Sequence, residues 1–198
     1  MNLTQECIDS VGQFFDNVAW QKAEELFGPI TSLRWGDGFY ILFSSKVAHG
    51  AIFRPLDEYD ASEAPYSNQS DMAYFNPLLS DNGIVPTIRD WHGIVSHEFQ
   101  HLMRWYRTIY QSGHISYDEN CLANAVIYDG AIDEGLAQYF EIMVGRGLYY
   151  GDEISKLHRV NAIRDFLSEP HISPFTGAAA PTLSVFSCYA ISMIIMAV

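Results

Sequence analysis

Two histidines stand four residues apart, with a glutamate beside the first, inside the apolar helical run GIVSHEFQHLMRWYR at 93–107. Burying three titratable groups on one helix is unfavourable unless something binds them. An i, i+4 spacing puts His97 and His101 on the same helix face, one turn apart. From there two imidazoles can reach one ion, and Zn²⁺ accepts them at about 2.0–2.1 Å. Glu98 follows the first histidine and so projects beside the ion rather than squarely at it. That is where a general base stands when H-E-x-x-H lies on a helix and water is bound to the metal.

A catalytic zinc takes three protein ligands and keeps a fourth position open. Glu134, in AIDEGLAQYFE, is the best third ligand. Taken alone it reads as a helix-start carboxylate near the positive end of the dipole. With an upstream HExxH it reads as a ligand, flanked by Ile132, Leu136, Ala137 and Phe140, with Gly135 permitting close helix approach.

The pattern around these motifs is α+β. Apolar residues at helical spacing (Ile8, Val11, Phe14/Phe15, Val18, Ala23, Leu26/Phe27) predict a helix over 4–27, stopped by Gly28-Pro29. FYILFSS and VAHGAIF predict strands, and DMAYFN a third that Pro77 closes. The segment 54–70, with Pro55, Pro65 and several carboxylates, reads as a polar loop. Thr87 or Asp90 starts the histidine helix, which runs to Arg107. After a Gly/Ser linker come a helix bent near Gly130, one over 132–144, one ended by Pro170, and a last apolar helix. Strands fill the first half and helices the second, not the alternation of a parallel sheet. The expectation is one catalytic domain over 1–198. A mixed-sheet lobe with the active-site helix covers 1–110, and a mainly helical lobe covers 111–198.

The chain is 48% hydrophobic and 18% charged, enough to build a core. A net charge of -13 argues against nucleic acid or an anionic membrane as partner. Cys7, Cys121 and Cys188 are far apart and match neither a zinc nor a disulfide pattern, so they read as small core residues. No leader is visible at MNLTQECIDSVGQFF. LSVFSCYAISMIIMAV is short for a membrane span and reads as a core helix, whose abrupt end leads us to expect a truncated lobe.

HEFQH followed by DEGLAQYFE resembles the Glu-zincin metallopeptidases, in which a glutamate on a second helix completes the zinc shell. Within that clan the chain is most similar to the hyicolysin-type peptidases secreted by bacteria. AIFRPLDEYDASEAPYSNQSDMAYFNP resembles their segment before the zinc helix, and the likeness covers about 38–145. The resemblance implies a zincin-like fold, His97, His101 and Glu134 on Zn²⁺, and Glu98 as the base that returns its proton to the leaving amine. It implies a peptide or protein substrate, held by strand addition to MAYF (72–75) as the sheet's edge over the cleft. It also implies an extracellular or cell-envelope location.

Two features depart from the clan. Thermolysin-like members carry an aspartate four residues after the ligand glutamate to steady a zinc histidine; Gln138 stands there in this chain. An amide accepts from imidazole N–H but adds no negative charge. The oxyanion-stabilising group could be Tyr128, Tyr139, Tyr149, Tyr150 or His171, and spacing selects none.

Other polar residues read as structural. His92, five before His97, lies off its face, and His49, His114 and His158 have no motif partner. Asp57, Glu58, Asp60 and Glu63 do not match an EF-hand loop and read as a solvated loop. Trp91, Trp105 and Tyr106 read as core or cleft-wall aromatics.

The leading function is therefore a zinc endopeptidase. The alternative is a catalytically inactive zincin-like binding domain, against which Glu98 argues, since a dead site has no use for a base. A di-iron bundle needs a second Glu-x-x-His, which the sequence lacks. A chance motif in a structural domain is the fourth reading.

Overall fold

Thr4 opens the first helix. Its hydroxyl accepts from the Cys7 N–H at 3.3 Å, satisfying one of the donors that a helix start leaves without a partner. The computed structural model describes residues 3–30, 33–36, 38–48, 50–78, 86–110, 133–141 and 143–144. Helix α1 (Gln5–Phe14) passes through a π-helical turn (Phe15–Ala19) into α2 (Trp20–Phe27). The buried residues are Cys7, Val11, Phe14, Phe15, Ala19 and Ala23. Ile8 and Val18, expected inside, are each 39% exposed. Five of the buried positions repeat every four residues, a step that drifts about 40° round a 3.6-residue helix. The π turn, bonded i→i+5, absorbs part of that drift and keeps Ala19 and Ala23 inward while Val18 turns out. Gly28, at φ 88°, ends α2 in a conformation that suits glycine. Arg107 donates to the Gly28 and Pro29 carbonyls at 3.0 and 3.3 Å, tying that end to the far end of the histidine helix.

Three short strands form one mixed sheet: β1 (Tyr40–Phe43), β2 (Ala51–Phe53) and β3 (Met72–Phe75), in the order β1-β3-β2. β1 runs parallel to β3, Tyr40 opposite Met72; β2 runs antiparallel, Ile52 opposite Tyr74. MAYF is therefore the central strand, not the edge. All four of its residues are buried, as a strand paired on both sides and covered on its faces requires.

Helix α3 (Ile88–Trp105) packs against α1 and the sheet. Thr87 is its N-cap in a reciprocal capping box: Thr87 Oγ1 accepts from the Asp90 N–H at 3.3 Å, and Asp90 Oδ2 accepts from the Thr87 N–H at 2.7 Å. Aromatic rings fix α3 on both sides. Trp91 meets Phe43 edge-on at 5.3 Å, while Phe99 lies among Phe15, Trp20 and Phe39 at 4.8, 5.4 and 5.2 Å. Trp91, Trp105 and Tyr106 are all core residues, and Cys7 is buried as expected.

Two compact units divide the chain, Met1–Tyr117 and Asp118–Val198. In the second, residues 133–141 are helical, here α4, with Ala137 and Phe140 fully buried. The helices expected near 121–130, over 151–170 and at the end of the chain lie outside the described residues, as do His49, His114, His158, Cys121 and Cys188. Helices and a mixed sheet together make the described fold α+β. Among the described residues no helix is long and apolar enough to cross a membrane.

The loop between β2 and β3 corrects a second expectation. Asp60 and Glu63 are exposed, but Asp57 and Glu58 are fully buried, and so is Asp71 at the start of β3. Asp57 accepts from the Asn68 N–H at 2.9 Å and from the Tyr74 hydroxyl, with Arg54 3.9 Å away. Asp71 accepts from the backbone N–H groups of Arg34 and Trp35 at 3.2 and 2.8 Å. No N–H or O–H reaches either Glu58 oxygen. Burial, reinforced by the adjacent Asp71 carboxyl and then by Asp57, pushes Glu58 up to about 10. Burial also raises Asp71, and burial with the Asp57 bond pushes Tyr74 up to about 12.

An acid raised in this way favours the native state most when protonated. The Glu58 contribution is complete below its ordinary 4.5 and drains away as pH climbs toward about 10. Glu58→Gln, which keeps the shape and cannot ionise, is expected to melt above the wild type at alkaline pH. The gap should narrow steadily as pH falls from about 10 toward 4.5, read by thermal unfolding across a pH series without divalent cations. A constant gap would show that Glu58 does not titrate in the fold.

Candidate metal centre

His97 and His101 stand one turn apart on α3, both half-buried. Their ring centroids are 4.8 Å apart with planes at 75°. Two imidazoles so placed share the approach to one small volume, which is what a cation needs from a rigid element. The helix holds them there because the opposite faces are committed to the core: Val95, Phe99, Leu102 and Met103 are at most 2% exposed.

Glu98 is buried between that core and the sheet. Its Oε2 accepts the Phe53 N–H at 2.6 Å. Sheet geometry explains why the amide is available. In an antiparallel pair, alternate residues turn their backbone groups toward the partner. Gly50 O accepts from Asn76 N at 2.9 Å, so Gly50 and Ile52 face β3, while Ala51 and Phe53 face the outer edge. Among the described residues that outer edge of β2 pairs with no other strand, and Glu98 lies against its Phe53 amide. The edge beside the candidate base is β2, not MAYF. Sequence reasoning missed this partner because a main-chain N–H leaves no mark in side-chain patterns; the unbroken apolar run MAYF was the available sign that β3 is central.

The remaining predicted residues sort readily. Glu134 is half-buried near the start of α4 in the second unit, followed by buried Gly135. Gln138, one turn later, and Tyr139 are also half-buried. Tyr128, Tyr149, Tyr150 and His171 lie outside the described residues. His92 is a core histidine, stacked on Phe14 at 4.2 Å with its Nε2 3.3 Å from Ser10 Oγ, and takes no part in the centre.

No family model matches the chain, and searches of curated proteins and of solved structures returned no significant similarity.

Proposed function

We propose that this chain is a zinc-dependent endopeptidase domain with a zincin-like fold, its zinc held by His97, His101 and Glu134. The observation that carries the reading is Glu98, a buried carboxylate anchored by the β2 edge amide and set on the same helix turn as the two histidines. A set of two neutral imidazoles and one carboxylate suits zinc. A bound zinc would polarise the scissile carbonyl and make water acidic near neutral pH.

The chain's own residues do the rest. Glu98 takes the proton of the attacking water and delivers it to the departing amine. The Phe53 N–H holds the carboxylate in one orientation for both transfers. An extended peptide lies along the outer edge of β2, using the backbone groups of Ala51 and the Phe53 carbonyl, while the Phe53 N–H stays on Glu98.

The test joins metal analysis with cleavage of an unstructured protein such as casein. Purified protein is expected to hold one zinc per chain and to lose activity to a chelator. His97→Ala and His101→Ala should each lower zinc occupancy at least about tenfold, because a two-ligand remnant binds weakly. Stoichiometric zinc without cleavage would instead favour the inactive zincin-like binding domain. Zinc retained by both variants would place the metal elsewhere.

A further inference from the structure

We propose that Glu58 and Asp71 form a second cation site, separate from the histidine centre, that takes a hard divalent ion of the calcium type. Three carboxyls, those of Asp57, Glu58 and Asp71, are each at most 1% exposed. Two of them are accounted for. Asp57 has the Tyr74 hydroxyl and the Asn68 amide, and Asp71 has the Arg34 and Trp35 amides. Glu58 accepts from no N–H or hydroxyl on either oxygen, and its own carboxyl proton is what links it to the neighbouring Asp71 carboxylate. The Arg34 guanidinium partly offsets the charge on Glu58 and also bonds Asp60 at 3.2 Å.

A buried carboxylate with no donor needs either a proton or a cation. Both Glu58 oxygens are open to bidentate ligation, and an Asp71 oxygen bonded to one amide keeps a lone pair. Two carboxylates are too few for zinc, and the group has no imidazole or thiolate. They are enough for calcium, which takes 6–8 oxygens and fills its shell with backbone carbonyls and water. The surrounding loop is held by its own bonds: Ser67 Oγ donates to the Asp57 and Tyr59 carbonyls at 3.1 and 2.6 Å, and Ser70 N–H to the Asp57 carbonyl at 3.2 Å. The ion would fasten this loop to the start of the central strand.

With burial and the Asp71 carboxyl pushing Glu58 up to about 10, binding exchanges a proton for the ion: Glu58–COOH + Ca²⁺ → Glu58–COO⁻·Ca²⁺ + H⁺. One proton leaves for each ion bound.

Zinc-loaded protein, freed of calcium, is titrated with CaCl₂ from about 10 µM to 10 mM, the range of extracellular calcium modules and sensors. The expected results are a saturable rise in melting temperature of about 5 °C or more and release of about one proton per ion, read by calorimetry in buffers of different ionisation enthalpy. Glu58→Gln should stay folded and lose both responses; His101→Ala should keep both. No calcium response in the wild type overturns the proposal, as does a response that survives in Glu58→Gln, that lacks proton release, or that vanishes in His101→Ala. The wild-type proton count stands as a test even if the variant does not fold.

Discussion

Glu98→Gln is expected to lower peptide hydrolysis by about 10²–10⁴-fold while zinc occupancy and melting temperature stay near wild type. The amide is isosteric, and its Oε1 can still accept the Phe53 N–H that Glu98 now accepts at 2.6 Å. What it cannot do is take a proton at neutral pH. Loss of rate without loss of metal or fold would therefore isolate proton transfer from every structural role of the side chain. Glu98→Ala is a poorer test, since it leaves the buried Phe53 N–H without an acceptor at about 1–3 kcal/mol and confounds chemistry with stability. The measurement is kcat on a fluorogenic peptide with zinc content from the same preparation. Activity within a few-fold of wild type would remove Glu98 from the mechanism and leave the β2 amide as the anchor of a structural carboxylate.

What the sequence revealed about this centre follows from which interactions are local. His97 and His101 share a face because of helical periodicity, and Glu98 accompanies them for the same reason, so that part of the pattern was readable without coordinates. Thr87 and Asp90 were both candidate starts of α3; the box uses both, one as cap and one as its reciprocal partner. The strand positions were found, but their order was not. Nothing within FYILFSS, VAHGAIF or MAYF states that the third strand inserts between the first two, and only then does the open edge pass to β2. The acidic loop failed for a similar reason. A run containing Asp57, Glu58, Asp60 and Glu63 resembles a solvated surface, yet the partners that bury Asp57 are Asn68 and Tyr74, and Asp71 faces Glu58. Those residues are 11 to 17 positions away, at distances that no short spacing rule spans.

Phe99→Ala is expected to destabilise the protein by about 3–5 kcal/mol, close to the upper limit for a single core substitution. Phe99 is fully buried and meets Phe15 edge-on, stacks on Trp20 and tilts against Phe39. Those rings come from the π turn, the start of α2 and the residue before β1, so one side chain joins the N-terminal helices to the sheet and both to α3. Removing it leaves a cavity that three large rings can collapse into only by shifting the helices that carry them. For a chain of this size the loss corresponds to a fall in melting temperature of roughly 6–20 °C. Phe99 also directly follows Glu98 and lies between His97 and His101 in sequence, while its ring occupies the core-facing side of the turn. The substitution should therefore weaken zinc affinity as well, because the two imidazoles keep their mutual placement only while α3 is pinned from behind. Phe99→Leu, which refills most of the volume, should recover a large part of both losses. Zinc affinity unchanged in a clearly destabilised Phe99→Ala would show that α3 holds its ligands without the aromatic cluster, and the link between core and centre would be wrong.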